Sequence, residues 1–416
     1  MAVDTDALRL GVLGKHSINT LCFDPSKQTL GLRMVVKCEE TEVINQEKTG
    51  TCWLQAGLTM LSTIAKTKLN KDVRFSVVHL SYHDKVGKAR AFLERMKRPD
   101  RYDARWIWHL RQDPVNDGGT WGMLKHLVRK YGLLTHESMR PTYQSMNTAQ
   151  MNGYLNQYLR SVVTDEQYDV EAVMANVTHM LKLCYGIHPK KSDDPDNSDY
   201  YFGRNVLEYE SVKPTEMLER IFGGLFDFEA FVVLADWPEP GRLGRSFYGA
   251  FYNDHADEKQ DAFRVAKIDE LADRALAQLR AGFPVWFTAE VRIDFSNRNG
   301  VAAPGILDVA PVLSISMEGR QDKLKRINDG NTAPVHAMLI TQASVKDDGE
   351  IVAWRVQNSW GKKGFKKGFV EVSHEWFKQH VFQVAVKKQE DEPGATDLEP
   401  LAPWDIFSTV AADAGF

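Results

Sequence analysis

Apolar residues recur at helical spacing through the first half of the chain. Leu54, Leu58 and Leu61 fall on one face of a helix that the pattern predicts over residues 52–68. The same kind of spacing predicts further helices over residues 123–132, 151–162 and 170–183. A polar loop at residues 187–200 then marks the main break in composition. The first half of the chain is therefore predicted to be mainly helical.

Short β-like runs replace this pattern in the second half of the chain. Aromatic and β-branched residues concentrate in residues 228–235 and 284–291, which indicates strands on either side of an amphipathic helix at residues 267–281. Residues 364–372 have the pattern of a later hairpin arm. The change from helical to β-like spacing predicts a fold in which helices and a sheet occupy different parts of the chain.

One predicted hairpin brings two polar residues together. The β-like runs at 335–340 and 354–357 flank a turn at 346–350, so they are expected to pair as antiparallel strands. His336 begins the first run and Asn358 follows the second. These two side chains are therefore predicted to lie on neighbouring strands.

Composition is typical of a soluble globular protein. The chain has 416 residues, of which 43% are hydrophobic and 26% charged, and its net charge is −4. This balance gives no support for binding to nucleic acid or to an anionic membrane. The basic, amphipathic residues 85–97 are interpreted as a solvated helix face rather than a nucleic-acid patch.

The start of the chain predicts neither a signal peptide nor a membrane span. It carries early acidic residues, and no window reaches the roughly 18 apolar residues that a span requires. The four cysteines are scattered without a C-x-x-C pair, which favours neither a zinc site nor a disulfide framework. A reducing, cytoplasmic location is expected, with neither a cofactor nor a metal.

Cys52 is a candidate nucleophile because of its position at the start of a helix. A thiol there lies at the positive end of the helix dipole, which favours the thiolate. Gln46 precedes it by six positions and carries an amide that could donate a hydrogen bond to an oxyanion. The alternative interpretation is structural, since free cysteine is among the most buried residue types.

His336 and Asn358 supply what a cysteine nucleophile requires. The imidazole can take the thiol proton, and the amide can hold the other ring nitrogen. The order Cys52, His336, Asn358, with Gln46 ahead, is that of papain-like cysteine peptidases. A single histidine beside a strand is more often a satisfied core residue, so it is the combination that is specific.

Five short segments resemble the bleomycin hydrolase/aminopeptidase C branch of the papain-like cysteine peptidases. The similarity runs from about Val43 to Asp405, is clear at these segments and is loose between them. The segments are residues 45–54 (Asn-Gln through Cys-Trp-Leu), 116–121 (Asn-Asp-Gly-Gly-x-Trp), 336–338 (His-Ala-Met), 354–361 (Trp-Arg-Val-x-Asn-Ser-Trp-Gly) and 403–405 (Pro-Trp-Asp). The long separation between Cys52 and His336 also resembles that branch, which carries a helical insert.

The resemblance implies an α+β, papain-like fold with two lobes. A helical lobe at about residues 41–140 would carry Cys52, and a β-rich lobe at about residues 226–390 would carry His336 and Asn358. The helical insert would occupy about residues 141–225, and residues 391–416 would form a C-terminal arm that enters the active-site cleft.

The resemblance also implies a role for each matching residue. Cys52 would be the nucleophile, His336 the general base and then acid, Asn358 its orienter and Gln46 the oxyanion donor. Trp360 would cover the bond between His336 and Asn358. Substrate-binding positions would be Gly118, Gly119, Val335, Trp360 and Phe416. A bare Asp-Gly-Gly is by itself usually only a turn.

Members of this branch are typically homohexamers whose sites face an inner chamber. The terminal carboxylate of their C-terminal arm meets the substrate's α-ammonium group, which gives aminopeptidase action on peptides, and bleomycin-like amides are possible substrates. This chain departs from the pattern in its longer tail, with Ile406 in place of the usual proline. The extended tail is expected either to loop out or to be trimmed by the enzyme itself.

Two other interpretations stay open from the residues. A transglutaminase-like or amidase enzyme would also use a Cys-His pair, but its third member is usually Asp, against which Asn358 and Gln46 argue. A catalytically idle assembly or nucleic-acid-binding protein could keep the same fold.

Overall fold

The computed structural model describes most of the chain. The described residues are 5–31, 33–164, 167–187, 213–249, 262–315, 322–390, 392 and 397–408. The C-terminal residue Phe416 and most of the predicted polar loop at residues 187–200 lie outside this set.

Helices dominate the first half of the described chain and recur singly in the second. They are α1 (Thr5–Leu13), α2 (Ile18–Cys22), α3 (Cys52–Leu69), α4 (Val77–Met96), α5 (Ala104–Gln112), α6 (Trp121–Tyr131), α7 (Thr148–Val162), α8 (Val170–Cys184), α9 (Pro214–Phe222), α10 (Ile268–Arg280), α11 (Ala310–Leu313), α12 (Lys323–Asn328) and α13 (His374–His380). Side-chain oxygens cap the first turns of α4, α5, α6 and α8; they belong to Ser76, Asp103, Thr120 and Asp169.

A single mixed sheet gathers the strands of the described residues. They are β1 (Val36–Lys37), β2 (Phe231–Ala235), β3 (Ser246–Tyr248), β4 (Ala262–Val265), β5 (Val285–Ala289), β6 (Phe295–Ser296), β7 (Val301–Ala302), β8 (His336–Val345), β9 (Ile351–Gln357), β10 (Phe369–Ser373), β11 (Val381–Lys387) and β12 (Glu399–Pro400). The order is β12-β3-β4-β2-β11-β5-β8-β9-β10-β7-β6, and β1 pairs with β8.

Helices pack on both faces of the central strands. Alternate side chains of a strand point to opposite faces, so Trp286 and Leu339 join the core around α3. Phe287 and Ile340, one position along each strand, join a second core with α10 and α13. The Trp286 indole also donates to the carbonyl of Trp53, 3.1 Å away. The start of α3 is thereby held against β5 and β8.

The predicted elements agree closely with the structure. The predicted helix at 52–68 is α3, and the predicted hairpin is β8 and β9, whose turn is closed by a 2.9 Å hydrogen bond from Lys346 N to Glu350 O. The prediction for residues 85–97 is wrong in part. Lys85 and Lys88 on α4 are fully buried, because carboxylates on α4 and on the loop before α6 face them. Among the described helices, none is both long and apolar enough to cross a bilayer.

Candidate active site

Cys52 is the first residue of the central helix. Its side chain is 1% exposed, and the backbone N–H of Ala337 donates to Sγ across 3.5 Å. Thr51, just before the helix, makes no capping hydrogen bond through its side chain. Burial raises the pKa of the Cys52 thiol to about 11, against the lowering effect of backbone N–H groups at Ala337, Trp53 and Cys52 itself. The helix start thus acts in the expected direction, but burial outweighs it and favours the thiol in this arrangement.

His336 begins β8 and directly precedes Ala337, whose N–H donates to Cys52 Sγ. Its Nε2 is 2.8 Å from Asn358 Oδ1, which leaves Nδ1 as the ring nitrogen able to exchange a proton with a nucleophile. Burial lowers the pKa of His336 to about 4, and the hydrogen bond that its Nε2 donates to Asn358 only partly opposes this. The imidazole is therefore neutral at pH 7, which is the form that a general base needs.

Asn358 follows β9, and its amide is held at both ends. Oδ1 accepts from His336 and from the backbone N–H of Ser359 at 2.7 Å, while Nδ2 donates to Asn297 Oδ1 at 2.9 Å. The assignment of oxygen and nitrogen in this amide is thus set by its neighbours. Asn297 was not predicted, because it lies in a turn after β6 whose sequence contains no signal for a contact 61 residues away.

Gln46 is tied to the residue that follows Asn358. Its Oε1 accepts from Ser359 Oγ at 2.6 Å, and its backbone N–H donates to the Ser359 carbonyl at 2.8 Å. Nε2 donates one proton to Thr49 O at 2.7 Å and keeps a second for another acceptor. The orientation of the Gln46 amide is therefore fixed by the same loop that fixes the His336–Asn358 pair.

The other predicted residues fall in different surroundings. Trp360 lies against His336, with ring centroids 4.5 Å apart, and Phe295 meets its edge. Val335 is buried in the core between the sheet and α10, and its N–H donates to Ala289 O at 3.2 Å. That position leaves Val335 little surface to offer a ligand.

Of the two glycines before α6, Gly119 has a packing reason for its identity. A Cβ at Gly119 would lie 2.3 Å from the indole of Trp53, so no other residue fits without a shift of the helix or the loop. The Gly118 carbonyl accepts from Lys88 Nζ at 2.6 Å. This turn packs directly against the first turn of α3, beside Cys52. Contact of the glycines with substrate stays a prediction.

The structure links Cys52, through the N–H of Ala337, to the strand that His336 begins, and His336 in turn is bound to Asn358. Among the described residues, no group of three or more His, Cys, Asp or Glu side chains is placed to hold a metal. A family model described as the peptidase C1-like family matches residues 15–407. The chain belongs to the peptidase C1-like family.

Relatives within this family agree over most of the chain. Human bleomycin hydrolase is 27% identical over 403 residues, covering 90% of this chain and 87% of that protein. Aminopeptidase C of Lactococcus lactis subsp. lactis (strain IL1403) is 28% identical over 421 residues, covering 97% and 92%. The resemblance predicted from the sequence is confirmed, and this peptidase C1-like chain is a papain-like cysteine peptidase.

A solved structure confirms the predicted fold. The crystal structure of PepW from Lactobacillus rhamnosis HN001 (DR20) superimposes with a TM-score of 0.78. The match covers 96% of this chain and 94% of PepW at 23% identity. The α+β, papain-like architecture is therefore shared over nearly the whole length of both chains.

Asn297 is expected to affect turnover through Asn358. Substitution of Asn297 by alanine removes the acceptor that fixes the Asn358 amide, so the amide can rotate and orient His336 less well. We expect kcat to fall by about tenfold with little change in KM, since second-layer partners of a site typically cost 10–100-fold. Steady-state kinetics on a peptide substrate would measure this. Asn299→Ala, two residues along the same turn, is the matched control; equal losses in both variants would contradict the prediction.

Proposed function

We propose that the protein is a cysteine aminopeptidase that removes N-terminal residues from peptides through Cys52, His336 and Asn358. One observation carries this proposal: the N–H of Ala337 reaches Cys52 Sγ while the adjacent His336 is bound through Nε2 to Asn358. The three side chains that the proposal uses as nucleophile, base and orienting group are all buried, which supports it.

The proposed reaction has two halves, which are formation of a thioester on Cys52 and its hydrolysis. Nδ1 of His336 takes the proton of the Cys52 thiol, and the sulfur attacks the carbonyl carbon of the first peptide bond. The second Nε2 proton of Gln46 and the backbone N–H of Cys52 stabilise the oxyanion. The imidazolium gives its proton to the departing amine, which leaves a thioester. His336 then deprotonates water, which attacks the thioester carbon. The carbon–sulfur bond breaks, the amino acid is released, and the imidazolium returns its proton to the Cys52 sulfur.

Attack in a buried site limits the cost of charge separation. Burial disfavours both the thiolate and the imidazolium, so proton transfer from sulfur to nitrogen is best coupled to formation of the bond with carbon. The charge then moves from sulfur to the carbonyl oxygen, where donors are already in place. In this proposal the thiol rests neutral until substrate binds.

Restriction to N-terminal residues is proposed to come from the C-terminal arm. The arm starts at the sheet edge, where Leu401 N donates to Tyr248 O at 2.8 Å. It then reaches the helical side, where Trp404 packs on Arg105, and Phe407 packs on Trp237. We propose that the chain beyond residue 408 presents its terminal carboxylate to the α-ammonium group of the substrate.

The resemblance to this branch of the papain-like peptidases carries further proposals. From the resemblance of the sequence segments, we propose lobe boundaries near residues 140, 225 and 390 and a homohexamer with sites facing an inner chamber. We also propose action on bleomycin-like amides, because one relative is named bleomycin hydrolase. We propose a cytoplasmic location because Cys22, Cys38, Cys52 and Cys184 are all free thiols.

The test compares aminoacyl amides with and without a free amino group. We expect kcat/KM for the free amine to exceed that for its N-acetyl counterpart by about 10–100-fold, the worth of a hydrogen bond to a charged group. Prior treatment with iodoacetamide should abolish both rates. Equal use of the acetylated substrate would contradict the aminopeptidase assignment, and turnover that survives alkylation would contradict the cysteine mechanism.

A further inference from the structure

A buried ionic cluster lies beneath the two loops that flank Cys52. It consists of Asp84, Lys85 and Lys88 on α4 and of Asp117 in the turn before α6. Both lysine side chains are 0% exposed, and the two carboxylates are 4% and 8% exposed. Lys85 Nζ is 2.5 Å from Asp117, and Lys88 Nζ is 2.8 Å from Asp84. Two positive and two negative charges therefore neutralise each other in the core.

Asp117 has more partners than neutralisation requires. Its carboxylate accepts from four donors in three other segments, and its carbonyl accepts from a fifth. The donors to the carboxylate are Lys85 Nζ at 2.5 Å, Thr148 Oγ1 at 2.5 Å, Asn152 Nδ2 at 2.8 Å and Gly50 N at 3.0 Å. The donor to the carbonyl is Trp53 Nε1 at 2.8 Å. Asp117 thus joins α4, α7 and both sides of Cys52.

Asp117 contacts residues on both sides of Cys52 along the chain. Gly50 precedes Cys52 by two positions and Trp53 follows it directly. Asp117 itself leads into Gly118 and Gly119, and Gly119 packs against Trp53. One residue therefore sets the distance between the turn that carries the nucleophile and the turn predicted to line the substrate.

The acceptor geometry requires a carboxylate. Each Asp117 oxygen accepts two hydrogen bonds, whereas an asparagine would turn an NH2 group towards two of these four donors. Burial raises the pKa of Asp117, but Lys85 and the hydrogen bonds from Thr148 and Asn152 more than reverse this and hold it well below its usual range. The group stays ionised at every pH at which the protein would work.

We propose that Asp117 is a positioning residue, which holds the Gly50–Trp53 turn and the Gly118–Gly119 turn in the relation that the reaction needs. The inference rests on the proposed function. Asp117 also neutralises the charge of Lys85, and an experiment can distinguish this role from positioning. Displacement of catalytic groups by about 1 Å can cost about 100-fold in rate.

The first variant is Asp117→Asn. We expect kcat to fall by about 10–100-fold, with a smaller change in KM. Asp236→Asn is the matched control, because Asp236 also forms a buried ion pair, but with Lys323 of α12 at 2.6 Å. The control should lose thermal stability while its kcat stays within about twofold of the wild type. A folded Asp117→Asn protein with unchanged kcat would overturn the proposal.

A double variant separates positioning from charge balance. Asp117→Asn combined with Lys85→Met removes one charge of each sign and should recover melting temperature relative to Asp117→Asn alone. We expect its kcat to remain low, because Gly50 N–H still lacks its carboxylate partner. Recovery of kcat together with stability would show that Asp117 only neutralises Lys85, and it would overturn the proposal.

Alkylation of Cys52 supplies a readout that does not depend on turnover. Burial is the main cause of the raised pKa of the Cys52 thiol, and the nearby Asp117 carboxylate adds to it because a negative charge disfavours the thiolate. In Asp117→Asn the pH midpoint for reaction with iodoacetamide should therefore move down while kcat falls. Parallel loss of alkylation and of folded signal would indicate a purely structural role and overturn the proposal. Absence of peptide hydrolysis in the wild type would instead refute the proposed function and leave the alkylation result interpretable.

Discussion

Substitution of Cys52 by serine is expected to lower kcat/KM for an unblocked peptide by about four to six orders of magnitude, as loss of a nucleophile does in related mechanisms. A hydroxyl is much less acidic than a thiol, and His336 and Asn358 offer a neutral imidazole and a neutral amide. Asn358 thus stands where Ser-His-Asp enzymes carry a carboxylate that helps to activate the serine. Initial rates over a range of substrate concentrations would measure the loss.

A second cysteine provides the control for this substitution. Cys184 in α8 is free and only partly buried, and Cys184→Ser changes the same atom away from the site. Its kcat/KM should stay within about twofold of the wild type, since surface substitutions are usually small in effect. Residual activity above 1% of the wild type in Cys52→Ser, without contaminating enzyme, would show that another group performs the attack.

Acidification is expected to remove stability through two buried histidines. Burial lowers the pKa of both His79 and His336 from 6.5 to about 4. Below pH 6.5 these histidines are protonated in the unfolded chain but stay neutral in the folded protein until the pH approaches 4. The free energy of unfolding therefore falls as pH decreases. Each shift spans 6.5 − 4 = 2.5 pH units, which corresponds to about 3 kcal/mol per histidine once pH 4 is reached. The contribution is fully present above pH 6.5.

Urea denaturation between pH 4.5 and 7.5 would measure this dependence. His79 lies on α4, bound through Nε2 to Tyr131 O at 3.0 Å, so His79→Gln isolates one of the two contributions. In that variant, we expect about half of the decrease in the free energy of unfolding that His79 and His336 together cause in the wild type. His179→Gln, on the exposed face of α8, should leave the decrease unchanged. A His79→Gln protein with the full wild-type slope would contradict the assignment.

Local patterns in the sequence determined which helix and strands carry the candidate site residues. Helical spacing and the glycine-threonine turn predicted that α3 starts at Cys52, and the structure agrees. A turn between two β-like runs predicted that His336 and Asn358 lie on neighbouring antiparallel strands, as β8 and β9 do. These predictions succeed because periodicity and turn chemistry are decided by residues close together in the chain.

Contacts between distant segments decided the rest. Residues 85–97 have the pattern of a solvated basic face, yet Lys85 and Lys88 are buried because Asp117 and Asp84 neutralise them. Asn297, 61 residues from Asn358, and Ser359, 313 residues from Gln46, orient the site without any local signal. The sequence by itself determined which side chains could carry the chemistry and on which elements they lie. Only the tertiary structure decided which polar groups face them, because burial of a charge depends on what the fold places opposite it.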